Sequence, residues 1–339
     1  MMDMLSRLPL KSLFNCKFVC ETWLLLISDP HFAKLHLAKS STTFLIQANR
    51  WFIIRKSLLA LIVEEVSSNT WDVEKIRFLP NTNLTNTDFR LINSCNGLIC
   101  LWGRSKAKSH EMVHVCNPIL GECITIPLVK KPRKWEQNLA LGFIYVSNQY
   151  KVLQTFYLDG ASTTQCQAEV YTVGSGQWRS IGNAPFSLDH LDANAFLHDS
   201  VHWIDYSPEN DGFICAFDFG FEQFTRLLLS SDSQMHDGWG RHSFSCDVEK
   251  LRYGLWRSME SWSKKFVVGH VVNDCLSYES LFFLSSGEIL MLKHDQCIIH
   301  YDPKCKSFED TEITHRMEII SVTAYGPSFR SGILHKGKN

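Results

Sequence analysis

The chain has 339 residues, 45% of them hydrophobic and 12% aromatic, including 22 Phe and 10 Trp; that excludes an intrinsically disordered polypeptide and leaves room for one small and one large domain. Its 34 basic and 35 acidic residues give a formal net charge of −1, so no overall field draws it to nucleic acid or to an anionic membrane surface. The 12 cysteines include no Cys-x-x-Cys, the closest pairs being Cys16/Cys20, Cys95/Cys100, Cys116/Cys123 and Cys297/Cys305. That spacing argues against a disulfide framework and against a metal centre, and several of these thiols sit in apolar runs where Cys acts as a small hydrophobe. The N-terminus lacks the layout of a signal peptide and no apolar run reaches the length of a bilayer span. The expected setting is reducing and intracellular, cytoplasmic or nuclear, which leaves the Asn83-Leu84-Thr85 sequon without a use.

Residues 1–40 carry helical periodicity. Arg7-Leu8-Pro9-Leu10 interrupts a first helix, and Lys11 to Cys16 reads as a second. Val19, Trp23, Leu26 and Ile27 fall at i, i+4, i+7 and i+8, one apolar stripe of a third. Ser28-Asp29-Pro30 ends it and starts a fourth over His31 to Lys39: Asp29 is placed to cap and Pro30 to occupy the first helical position. Helices this short cannot bury a core alone, so the segment needs a partner.

From about residue 43 the period changes to that of strands. Short runs rich in Val, Ile, Phe, Tyr and Trp, bounded by Gly, Pro, Asn, Asp and Ser, begin at Thr43–Gln47 and continue to Ile298–Tyr301. They include Gly97–Trp102, Lys151–Tyr157, Ile214–Phe219 and Phe266–His270. Helical stretches do not alternate with them, which argues against a parallel α/β sheet. A strand, a tight polar turn and a second strand recur at Val113 to Ile126, Val170 to Trp178, Cys215 to Phe224 and Ile298 to Phe308, with weaker copies at Ser67 to Trp71 and Trp256 to Trp262. The turns repeat every 40 to 56 residues or about that, the period of a propeller blade. The expected fold is mainly β with a short α-helical N-terminus: a propeller-like array of about six antiparallel blades over 43–330, after a helical segment over 1–40. A generic antiparallel domain of repeated hairpins is the alternative.

Chemistry-bearing motifs are sparse. Lys130-Lys131-Pro132-Arg133-Lys134 is a dense basic run, followed by Trp135, but one aromatic does not make a base-stacking platform. His110, His114 and Cys116 form the best local metal-ligand cluster, yet they lack the second close pair a structural zinc site uses, and His198, His202 and His236 read as strand-end or loop residues. There is no Gly-x-Ser-x-Gly, and Gly174-Ser175-Gly176 fits a hairpin turn better than a phosphate cradle. Neither a catalytic residue, a metal nor a cofactor is therefore expected. Long, polar, aromatic-studded loops at 132–138, 205–212 and 232–242 offer Trp135, Tyr206 and Trp239 as anchors for a protein substrate.

The two halves together resemble a known family. Met4-Leu5-Ser6-Arg7-Leu8-Pro9-Leu10-Lys11-Ser12-Leu13, then Phe18-Val19-Cys20-Glu21-Thr22-Trp23 and Leu26-Ile27-Ser28-Asp29-Pro30-His31-Phe32, resemble the F-box of plant F-box proteins. Asn93 to Leu101, Cys116 to Gly121, Gly142-Phe143, Tyr150-Lys151-Val152, Val201 to Ile204 and Phe217-Asp218 resemble the associated β-propeller domain. The resemblance implies a non-catalytic substrate-recognition subunit of a Skp–cullin–F-box ubiquitin ligase. In such a complex the helices pack on a Skp-type adaptor, and through it a cullin scaffold, while the β domain holds the protein to be ubiquitinated. The residue match implies an adaptor face of Leu5, Leu8, Pro9, Leu13, Val19, Cys20, Trp23 and Leu26. The family's motif opens about ten residues earlier, so Met1-Met2-Asp3 falls within its first helix and fewer opening contacts are expected. A stand-alone β-propeller interaction module without adaptor binding is the alternative.

Overall fold

Four short helices open the chain: α1 (Met2–Leu5), α2 (Leu10–Cys16), α3 (Glu21–Ser28) and α4 (Pro30–Lys39). The computed structural model describes residues 1–8, 10–39, 43–50, 57–65, 70–75, 87–105, 111–128, 138–157, 166–184, 195–205, 213–227, 278–283, 288–293, 297–302, 304–305, 307–311 and 317–329. Asp29 caps α4 as its sequence position requires: its Oδ1 accepts the backbone N–H of His31 at 2.6 Å. The start of α3 differs from expectation. Cys20 is extended (φ −161, ψ 163) as the residue before the helix, which leaves Val19 in the preceding turn, outside the stripe assigned to it. Ile27 of that stripe is fully buried.

Twenty strands follow, in five four-stranded antiparallel sheets among the described residues. β1 (Thr43–Arg50), β2 (Ser57–Glu65) and β3 (Thr70–Lys75) belong to the first; β4 (Thr87–Cys95), β5 (Leu98–Ser105), β6 (Glu111–Asn117) and β7 (Glu122–Pro127) make the second. The third holds β8 (Asn138–Ile144), β9 (Gln149–Tyr157), β10 (Cys166–Thr172) and β11 (Trp178–Ala184). β12 (Ala195–Leu197), β13 (Ser200–Asp205), β14 (Phe213–Asp218) and β15 (Gln223–Leu227) make the fourth, and β16 (Tyr278–Phe283), β17 (Ile289–Lys293), β18 (Cys297–Asp302) and β19 (Ser307–Asp310) the fifth. β20 (Met317–Ala324) returns to pair with β1, so the last strand completes the first sheet. Strands β20, β4 and β8 stand side by side, β8 lies against β13, and β16 lies against β20. This is a β-propeller, each sheet a blade, closed by strand exchange between the two ends of the β region. The unit expected around Trp256 to Trp262, and the strand expected at Phe266–His270, lie outside the described residues.

Burial follows from the blade arrangement. A strand between two flanking blades is covered on both faces, so β9 is buried at seven consecutive residues and carries apolar side chains on both sides. An outermost strand meets solvent: β11 is exposed at four of its seven positions. Apolar side chains fill the gaps between neighbouring sheets: Leu98, Val113 and Ile126 meet Leu139, Leu141 and Val152 between the second and third. Ala140, Leu153 and Val170 meet Trp203, Phe217 and Phe219 between the third and fourth. Polar clamps join neighbouring blades at β4, one from β4 to β8 and one from β1 to β4. The Asn93 amide donates to the Leu141 carbonyl and accepts the Leu141 N–H, both at 2.9 Å. Gln47 does the same one blade back, to Phe89 O and Leu91 N, both at 2.6 Å.

Cys95, Cys100, Cys166 and Cys215 are buried free thiols within these cores, and for Cys100 and Cys215 the apolar runs around them predict it. One pair corrects the reading of the cysteine spacing. Cys116 and Cys123 stand directly opposite in the β6–β7 register with Cα atoms 4.0 Å apart, and the structure joins them as a disulfide. A tight hairpin turn brings them together, which spacing along the chain does not reveal. Among the described residues no helix is long and apolar enough to cross a membrane, a statement that does not bear on membrane β-barrels.

Candidate functional site

The surface that most calls for a partner lies on the helices. Of the nine exposed large apolar side chains among the described residues, six fall in the first 25 positions: Met1, Met4, Phe18, Val19, Leu24 and Leu25. α3 is apolar on both sides. Ile27 points inward with 0% exposure, while Leu25 points outward with 65%. A helix that hides one apolar face and shows another has an unfilled contact. The turn ahead of it adds Phe18 at 76% and Val19 at 63%.

The inner faces converge on a small core of Leu5, Leu13, Ile27 and Phe32, with Met2, Leu8, Cys16, Trp23 and Leu26 partly buried around it. The β domain contributes to that core as well: Ile119 and Leu120 from the β6–β7 turn pack on it, and Phe329 is buried inside it. Asn117 shapes the turn by accepting the Ile119 and Leu120 N–H groups at 3.0 and 3.2 Å. α1 is tied to α4 through Asp3, whose carboxylate accepts from Lys39 and, at 3.1 Å, from Arg7. The Lys39 bond in particular holds the Asp3 carboxyl below its ordinary range. His36 on α4 is buried and its ring pKa is pushed down by burial, partly offset by a hydrogen bond to the Leu8 backbone.

The eight residues expected to form the adaptor face thus divide. Val19 and Cys20 are exposed, Leu8, Trp23 and Leu26 are half-buried, and Leu5 and Leu13 lie inside the helical core; Pro9 lies outside the described residues. Sequence reasoning passed over Met4, Phe18, Leu24 and Leu25. The signal was present as an apolar run, Trp23-Leu24-Leu25-Leu26-Ile27, too long to be satisfied by one buried stripe.

Trp135, Tyr206 and Trp239, expected to anchor a substrate, lie outside the described residues, as do His110 and His236. The connections that hold Trp135 and Tyr206 join β7 to β8 and β13 to β14 in the chain. His114 is buried on β6 with Nδ1 3.0 Å from Thr125 Oγ1, and its neighbour Cys116 is in the disulfide. His198 sits in the β12–β13 turn with φ 48. Among the described residues no three His, Cys, Asp or Glu side chains converge as metal ligands. One ion cluster is a blade junction: Glu222 binds Lys151 at 2.7 Å and also Arg179, and Lys151 donates to the Phe219 carbonyl at 2.9 Å. This cluster ties β9 and β11 to the β14–β15 turn.

Comparison with known proteins fits this division of the chain. A model of the F-box domain matches residues 5–35, and a model of the F-box associated beta propeller domain matches residues 52–324. F-box protein At3g07870 of Arabidopsis thaliana is 23% identical, covering 91% of this chain and 85% of its own length. The F-box/kelch-repeat protein At3g17530 of the same plant is 28% identical over 68% of this chain, and the match spans 60% of that protein. Among solved structures, the β-propeller domain of the Trilobed protease from Pyrococcus furiosus has 8% identity and a TM-score of 0.32, covering 79% of this chain and 78% of that one.

Proposed function

The chain belongs to the plant F-box proteins that carry an F-box associated β-propeller domain, and on that premise we propose that it is the substrate-receptor subunit of a Skp–cullin–F-box ubiquitin ligase. The observation that carries the reading is the outward apolar surface of the helices. Phe18, Val19, Leu24 and Leu25 are all exposed, and burying them against a Skp-type adaptor would remove that surface from water at about 25 cal/mol per Å². Val19 and Cys20 would touch the adaptor directly and Leu8, Trp23 and Leu26 would line its edge. Leu5 and Leu13 would act from within, by holding the helices in place, and Pro9 would belong to the same adaptor-binding segment. The propeller would hold a target protein, with Trp135, Tyr206 and Trp239 as its anchors. Transfer of ubiquitin would be the work of other subunits, so this chain would contribute proximity and supply no nucleophile. It would act in the cytoplasm, the nucleus or both.

Co-purification of the full chain with a Skp-type adaptor tests the proposal. Val19→Asp with Leu25→Asp should abolish association while leaving the thermal transition in place, because both side chains are more than 60% exposed. Trp23→Ala should weaken it roughly 30-fold, the loss of about 2 kcal/mol. An intact wild-type chain that fails to bind the adaptor would sink the ligase reading. One observation favours the second reading, a stand-alone propeller interaction module: the helical core is already closed from within by Phe329, Ile119 and Leu120. That reading predicts partners whose abundance does not rise when the proteasome is inhibited.

A further inference from the structure

We infer that the segment after the last strand, residues Tyr325 to Phe329, is an intramolecular latch that holds the helical unit on the rim of the propeller. One end of it belongs to the β domain. Tyr325 is buried between the first and second blades with Leu45, Leu91 and Leu101, and its hydroxyl donates to the Gly97 carbonyl at 3.3 Å. Ser328 lies on the Asn96–Gly97 turn, where Gly97 has φ +86 and a Cβ added to it would stand 2.1 Å from the Ser328 Cβ. Asn117, itself fully buried, donates to the Ser328 carbonyl at 3.0 Å. The same Asn117 shapes the turn that carries Ile119 and Leu120 to the helices.

The other end belongs to the helices. The Phe329 side chain is 1% exposed and packs with Leu5, Leu13, Ile27 and Phe32, drawn from all four helices. The Lys17 Nζ lies 5.7 Å from the centre of its ring, and His36 meets it edge-on at 6.2 Å. Helices of four to ten residues are not stable alone in water, and this core includes one fully buried aromatic ring, Phe329, from a distant part of the chain. The helical unit therefore keeps its shape through the latch, whatever binds its outer face. Releasing the ring turns a fixed unit into a tethered one, without unmaking the propeller.

Hydrogen exchange read by mass spectrometry on the full-length chain tests this, comparing wild type, Phe329→Ala and Phe329→Leu. The alanine variant should speed exchange in α2, α3 and α4 by roughly tenfold or more while β8, β9 and β10 keep their protection, since opening is then local. The leucine variant, which keeps an apolar plug, should restore most of the protection. Helical exchange that is unchanged in Phe329→Ala would overturn the latch. So would loss of protection in the strands in step with the helices, because Phe329 would then support the whole fold. The readout needs no adaptor, so its failure and failure of the ligase reading can be told apart.

Discussion

Replacing Asn93 with alanine removes a polar joint between two blades, and its cost can be worked from the geometry. Asn93 is 2% exposed and its partner Leu141 is fully buried. The side-chain amide spans both backbone groups of Leu141, each at 2.9 Å. After truncation the Leu141 N–H and C=O face an apolar gap with no donor or acceptor supplied. An orphaned buried group costs about 1–3 kcal/mol, so the pair amounts to about 2–6 kcal/mol, with the low end applying if water enters the space left. That is a large share of the roughly 5–15 kcal/mol that holds a domain folded. Asn93→Asp should do no better: it keeps an acceptor for Leu141 N–H but sets a carboxylate against the Leu141 carbonyl. Urea unfolding of the full chain, with the slope checked for constancy, measures the effect. A loss below about 0.5 kcal/mol for Asn93→Ala would refute the reasoning, since it would mean that the amide is not what satisfies Leu141.

Two further outcomes follow from positions inside the propeller. Gly142→Ala would place a Cβ 2.1 Å from the ring of buried Phe219, an overpacking that should lower stability by about 1–3 kcal/mol; Phe219→Leu in the same chain should recover part of it, and thermal melts of both variants check this. His114 is held down to about 4 by burial, whereas an unfolded histidine titrates near 6.5. Its folded-state pKa is the lower one, so the unfolded chain takes up the proton first and stability falls as pH drops from 6.5 towards 4. The loss reaches about 2 kcal/mol by pH 5. Melting temperatures from pH 7.5 to 5 should fall less steeply in His114→Gln, and equal slopes would show that other groups set the acid limit.

Much of this architecture can be read from the chain, and the parts that cannot share a cause. Segments such as Tyr150 to Phe156, with apolar side chains at Tyr150, Val152, Leu153 and Phe156, announce strands because blades cover both faces of them. β11, Trp178-Arg-Ser-Ile-Gly-Asn-Ala184, is hard to read because an outermost strand owes half its surface to solvent. β4 hides for another reason. Its register shifts between Leu91 and Asn93, and the bulge carries a residue typical of turns to the next blade, where it hydrogen-bonds the backbone. β20 was invisible because its reason to be a strand is β1, far away in sequence. The helical segment repeats the lesson: periodicity says which residues share a face, as Trp23 and Ile27 do, but it cannot say that Phe329 covers that face. Cys116 and Cys123 become neighbours only once the hairpin register is known.

The pairing of β20 with β1 also sets an order of events during synthesis. Ribosomes add about 5–20 residues per second, so the helices leave the exit tunnel some tens of seconds before Phe329 exists. For that interval β1 presents an open edge and the inner face of the helices is bare, surfaces that attract chaperones and other nascent chains. A message cut short before residue 317 would yield a polypeptide that never leaves this state, lacking both the closing strand and the ring that covers Leu13 and Ile27. Synthesis through residue 329 is thereby tested by the fold, since the stretch 317–329 both shuts the ring of blades and seats the helices.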